Sequence, residues 1–124
     1  MTETISSFTQ LRTWQKAREF AVMVYRTTAK LPGSERYGIS SQLQRASVSI
    51  AANIAEGFSR NTAKEKIQFY GIALGSLTEV QSHLYIASDL SFVTKTELTE
   101  LIEETIDLQR MINGLKKSAK GRNT

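Results

Sequence analysis

The chain contains no cysteine, one proline and one histidine among its 124 residues. Without cysteine there is no disulfide framework, no thiolate metal site and no thiol nucleophile. A lone histidine is too few for a bundle metal centre, which needs several inward carboxylates and Glu-x-x-His motifs. No glycine-rich phosphate loop is present either, so no metal or cofactor is expected. No stretch approaches the roughly 18 consecutive apolar residues of a membrane-spanning helix. The opening MTETISSFTQLRTW lacks the basic start and apolar segment of a signal peptide. These absences favour a cytoplasmic protein with no membrane partner.

What is present is uneven in charge. Residues 1–66 carry ten Lys/Arg against five Asp/Glu, residues 67–115 two against seven, and residues 116–124 four against none. The net charge of +4 therefore conceals a basic first half, an acidic second half and a basic end. Such asymmetry suits an anionic partner such as nucleic acid, and equally suits head-to-tail contacts between subunits.

Hydrophobic periodicity divides the chain into four helices. The first spans about Arg12 to Lys30. Trp14, Ala17, Phe20, Ala21, Val24, Tyr25 and Thr28 form its core face, and Arg12, Lys16, Arg26 and Lys30 its basic face. Leu31-Pro32-Gly33 ends it, because proline cannot continue the hydrogen-bond ladder. The second helix, Gly38–Arg60, carries only Arg45, Glu56 and Arg60 as charges. Ile39, Leu43, Ala46, Ile50, Ile54 and Gly57 share an arc at 100° per residue. Its remaining face is small and uncharged, so protein contact on more than one side is expected.

The third helix is capped by Asn61 or Thr62, with Thr62 and Glu65 at capping-box spacing, and runs to about Ser88. Glu79 is the one formal charge between Ile67 and Ser88. Gly71 and Gly75, with Thr78 and Ser82, make a small-residue strip that predicts close approach of another backbone. Ile72 and Ile86 flank Glu79 on a further strip. The fourth helix starts after Thr94, again with a capping-box glutamate at Glu97. Leu98, Leu101, Thr105, Leu108, Ile112 and Leu115 form an a/d seam. Asn113-Gly114 predicts fraying, and 116–124 a basic mobile tail. Connections of three to ten residues favour antiparallel neighbours. The expected fold is all-α: a single-domain, up-down-up-down four-helix bundle over residues 1–124.

Catalytic signals are sparse. His83 near Glu79 could act as a base, but has no nucleophile beside it; a hydrogen-bonded or interface histidine is the plainer reading. The strongest polar constellation is Gln42, Arg45, Ser49, Asn53 and Glu56, with Glu79 placed to neutralise Arg45. It reads as a structural network or interface, and alternatively as a binding surface. Phosphate contact needs little more than clustered cations. Arg12, Lys16, Arg26, Lys30, Arg60, Lys64 and Lys66 are the candidate nucleic-acid-binding residues. Trp14, Phe20 and Tyr25 lie on the core face, so base stacking is not indicated.

Several motifs together carry a family resemblance. They are Phe8-x-x-Leu11-x-x-Trp14-Gln15-x-Ala17, Gln42-Leu43-x-Arg45-Ala46, Ser49-Ile50-x-x-Asn53-Ile54-Ala55-Glu56-Gly57 and Ile72-Ala73-x-Gly75-Ser76-x-x-Glu79. The chain resembles the four-helix-bundle proteins encoded in intervening sequences of bacterial 23S ribosomal RNA genes, and is similar to the accessory bundle proteins of diversity-generating retroelements. Family members often carry proline where Ala51 stands here. The resemblance implies an antiparallel bundle assembling into a ring-like homopentamer, a nucleic-acid partner, and no catalytic residues to carry over. Together these readings give a non-enzymatic oligomeric bundle that binds RNA or DNA through a basic surface. The alternative is a protein–protein adaptor, a scaffold ring for an enzyme partner.

Overall fold

A computed structural model describes residues 5–121, which form four α-helices and, among the described residues, no strand. They are α1 (Arg12–Thr28), α2 (Ile39–Ser59), α3 (Ala63–Asp89) and α4 (Lys95–Gly121). Short 3₁₀ turns at Phe8–Gln10 and Gly33–Glu35 precede α1 and α2. Each helix packs on its chain neighbours and α1 closes onto α4. The result is the up-down-up-down bundle that the short connections imply.

The helix ends follow local chemistry. Thr94 and Glu97 form a complete capping box: the Glu97 amide donates to Thr94 Oγ1 at 3.0 Å, and the Thr94 amide to Glu97 Oε1 at 2.8 Å. At α3 the Glu65 amide donates to Thr62 Oγ1 at 3.2 Å. The return bond there comes from the Thr62 hydroxyl, 3.1 Å from Glu65 Oε2, rather than from the backbone. After α3, Ser91 takes the left-handed conformation (φ 61°), and the Phe92 amide reaches back to the Ala87 carbonyl at 2.8 Å. This turn satisfies carbonyls that the helix end would otherwise leave open. It also tucks Val93 under Leu31 and Ala87, sealing one end of the bundle.

Phe20, Leu43, Ile50, Ile54, Leu77, Leu84, Leu108 and Ile112 fill the centre, all within 1% of complete burial. Full burial of such a side chain contributes about 1.5–3 kcal/mol. The arc expected on α2 and the a/d seam expected on α4 both face this core.

Four local expectations differ from the structure. Tyr25 is 45% exposed rather than in the core. It lies at the edge of α1 facing Val48 of α2, and the small α2 residues there are too short to cover it. Gly71 and Gly75 face open space, with nothing within 4 Å of an added Cβ. Within the chain the close approach is at Gly57, where a Cβ would stand 2.6 Å from the Tyr70 ring. Finally, α4 does not fray at Asn113-Gly114. Leu115 and Ala119 continue its buried face, Ala119 being 4% exposed, so packing outweighs the poor local propensity. The basic end is thus helical as far as Gly121, and residues 122–124 lie outside the described part.

Candidate nucleic-acid interface

The expected basic face of α1 turns out to be one wall of a seam with α4, whose facing side is acidic. Lys16 Nζ lies 2.8 Å from Glu104 Oε2, and Lys30 Nζ 2.8 Å from Glu97 Oε2. The hydrogen bond to Glu104 holds the Lys16 ammonium above its ordinary pKa, against partial desolvation. The Glu97 carboxyl is held below its ordinary value, first by the hydrogen bond from Lys30 and then by the Thr94 amide. Arg12, Lys16, Glu19, Asp107 and Arg110 line an open groove of about 480 Å³ along this seam. It is mixed in charge, so the four α1 cations do not form one uncompensated surface. Arg26 stands apart, at the rim of an apolar groove on the α1–α2 side.

Two cations at the α2–α3 turn are also engaged within the chain. Arg60 pairs with Glu56 at 3.0 Å, and its guanidinium carbon sits 4.5 Å from the centre of the Phe69 ring. Lys66 Nζ donates to the Phe58 carbonyl at 2.7 Å, capping the last turn of α2, and lies 5.5 Å from the Phe58 ring centre. Lys64 is exposed and makes no ion pair among the described residues. Of the seven expected cations, Lys16, Lys30, Arg60 and Lys66 thus have internal partners, leaving Arg12, Arg26 and Lys64 turned to solvent.

The structure also supplies cations that the linear reading assigned to a tail. Gln81 Nε2 donates to Thr105 Oγ1 at 2.9 Å, which fixes the antiparallel register of α3 and α4. Counting equally outward from that bond, Glu65 is level with Gly121. The first turn of α3, with Lys64, is therefore level with the last turns of α4, with Lys116, Lys117 and Lys120. On α4, Lys116 and Lys120 are one turn apart on the side facing α3. A basic run in sequence was visible; that it stays helical, and so lies level with the start of α3, was not.

The polar stripe of α2 opens onto a second groove, of about 440 Å³, lined by Gln42, Arg45, Ser49, Ser76 and Glu79. Ser49 Oγ and Ser76 Oγ are 2.7 Å apart, bridging α2 to α3. Asn53 Nδ2 donates to the Ser49 carbonyl at 2.9 Å and to its hydroxyl at 3.1 Å. The expected Arg45–Glu79 pair does not form within the chain. Glu79 Oε2 instead faces His83 Nε2 at 3.1 Å, one turn along its own helix, while Arg45 is exposed. Glu56 is taken by Arg60. The intramolecular network is therefore the serine pair with Asn53, and Gln42 and Arg45 face outward. Among the described residues no three His, Asp or Glu side chains converge to hold a metal ion, and no helix is long and apolar enough to cross a membrane.

The model of the 23S rRNA-intervening sequence protein family matches residues 9–114. The chain belongs to that family. The match takes in the four helices up to Gly114, including the stripe motifs of α2 and α3. No functionally curated protein matches the chain. Among solved structures, it is similar to a protein of unknown function from the S23 ribosomal protein family of Bacteroides thetaiotaomicron VPI-5482. That similarity has a TM-score of 0.76 at 21% identity, over 85% of this chain and 98% of the other. At that identity the likeness speaks for the shared fold. The family match and this neighbour agree on a helical bundle and indicate no catalytic family.

Proposed function

We propose that this 23S rRNA-intervening sequence family member is a non-catalytic bundle that holds RNA or another nucleic acid by phosphate contacts. The observation that carries the reading is the cluster at the end where α3 begins and α4 finishes: Lys64, Lys116, Lys117 and Lys120. None of them is matched by an acid across the α3–α4 seam, unlike Lys16 of α1 and Lys30 just after it, which pair with α4. Lysines in the last turn of α4 also complement the helix dipole, but that role does not call for Lys64. The family's name, which ties it to 23S rRNA, supports the same reading. Contacts of this kind are salt-dependent and nearly blind to base identity.

Fluorescence anisotropy with a structured RNA and a DNA duplex, across a salt series, tests the proposal. Binding at low salt should weaken steeply as salt rises. Replacing Lys64, Lys117 and Lys120 by Gln should flatten the log–log slope by about 0.7–0.9 per lost contact, and Lys30→Gln should leave it unchanged. No binding at low salt would sink the reading. Binding that survives the triple variant but is lost with Arg12 and Arg26 would move the site to α1.

A further inference from the structure

The serine bridge between α2 and α3 leaves a hydroxyl proton unused. Asn53 Nδ2 donates to Ser49 Oγ at 3.1 Å, so that contact takes no proton from the serine. Ser49 Oγ and Ser76 Oγ are 2.7 Å apart, and the bond between them uses only one of their two protons. Among the described residues no other acceptor takes the second, which is left for a molecule in the groove that both serines line. Two charges face the same groove. Counting equally outward from the serine bridge, Arg45 is level with Val80 and Gln42 with His83. Arg45 and Glu79 thus stand at one level on facing helices and line one groove, yet do not pair with each other. Glu79 Oε2 is held by His83 Nε2 at 3.1 Å, which leaves Oε1 open. The side chains of Gln42 and Arg45 have no partner among the described residues.

We propose that the α2–α3 groove binds a small zwitterion, an α-amino acid with a small polar side chain. The ligand's carboxylate lies on the Arg45 guanidinium, whose fork suits two carboxylate oxygens, and takes the Gln42 amide and the spare serine proton as further donors. Its ammonium is received by Glu79, which His83 steadies from one turn along α3. A molecule carrying both charges satisfies Arg45 and Glu79 together, whereas a simple anion leaves Glu79 beside it as a repelling charge. The α1–α4 groove offers no such vacancy, because Lys16 already meets Glu104 and Arg110 meets Asp107. At about 440 Å³ the α2–α3 groove falls in the usual size range of small-molecule sites. Ala46 is its one apolar lining residue, so nothing in it rewards a large apolar side chain. The site lies well away from the lysine end, so it stands or falls independently of nucleic-acid binding.

NMR titration of the isotope-labelled full chain with L-serine and L-glutamine tests it. The backbone amides of Arg45, Ser49, Ser76 and Glu79 should shift saturably in the low-millimolar range. N-acetyl-serine lacks the ammonium and serinamide lacks the carboxylate; each should bind about tenfold or more weakly than L-serine, as expected for the loss of a charged hydrogen bond. Arg45→Gln and Glu79→Gln should weaken L-serine by a similar factor. Both positions are exposed, and circular dichroism should show unchanged helix content. Lys64→Gln, about 22 Å along α3 from Glu79, should leave binding unchanged. The absence of saturable shifts with both amino acids would overturn the proposal. So would N-acetyl-serine binding as tightly as L-serine, which would reduce the groove to an anion site, or full binding by the Glu79→Gln variant.

Discussion

The α2–α3 and α1–α4 seams belong to the same bundle but are held by different means. Between α2 and α3 the helices lock by shape. Gly57 admits the Tyr70 ring, Ser49 meets Ser76, and Leu43, Ile50, Ile54, Ala73 and Leu77 fill the space behind. Between α1 and α4 there is an open, mixed-charge groove, spanned by Lys16–Glu104 and Lys30–Glu97. Half-exposed ion pairs of this kind contribute little, whereas a buried, interlocked apolar seam contributes much. The difference also bears on function. Lys16 and Lys30 have acids across the seam, whereas Lys64, Lys116, Lys117 and Lys120 have no ion-pair partner among the described residues.

The strongest way to break this contrast is in the α2 core. Ile50→Ala should cost about 2–5 kcal/mol in urea unfolding, since the side chain is completely buried. A loss well under 1 kcal/mol would mean that α2 is not the centre of the packing. The same glycine-to-alanine change should then have opposite signs at the crowded α2–α3 seam and at an open position of α4. At Gly57 the new methyl group meets the buried Tyr70 ring, and overpacking outweighs the helical gain; a net loss of about 1–2 kcal/mol is expected. At Gly114 of α4 nothing lies within 4 Å, so alanine should stabilise by about 1 kcal/mol. Matching signs in thermal melts would erase the distinction.

The smallest effect belongs to the charge-held seam. Glu97→Gln keeps an acceptor for the Thr94 amide but removes the ion pair with Lys30, and should cost about 0.5 kcal/mol at neutral pH. Because Glu97 titrates lower when folded, its contribution is fully present above the unfolded carboxylate value. It is lost as pH falls through the folded one. The two proteins should therefore converge in stability below about pH 4. For Lys16 the direction reverses: its value is raised on folding, so its pairing with Glu104 should fade only in strongly alkaline solution.

The fold was legible to a useful depth. Periodicity located all four helices, and the capping boxes at Thr62 and Thr94 located two of their starts. What failed were judgements that depend on a neighbour. Tyr25 fits the core arc of α1 as a helical wheel, yet a small-faced partner leaves it uncovered. Gly114 is a poor helix residue, yet Leu115 and Ala119 beyond it are held by the core. The site was less legible, for a related reason. Whether a lysine is free depends on what lies across from it, and α1's partners are more than sixty residues away in sequence.

By itself the sequence determined the class of fold, the number of helices and the apolar stripe each would bury, because helical propensity, capping and periodicity are local. It also determined that α2 and α3 would be poor in charge on most of their surfaces. Only the tertiary structure decided which charges neutralise one another, which glycine is crowded, and which lysines stand at the same end. Those depend on register between helices, and register is set by packing across the bundle: by Gly57 against Tyr70, Ser49 against Ser76 and Gln81 against Thr105.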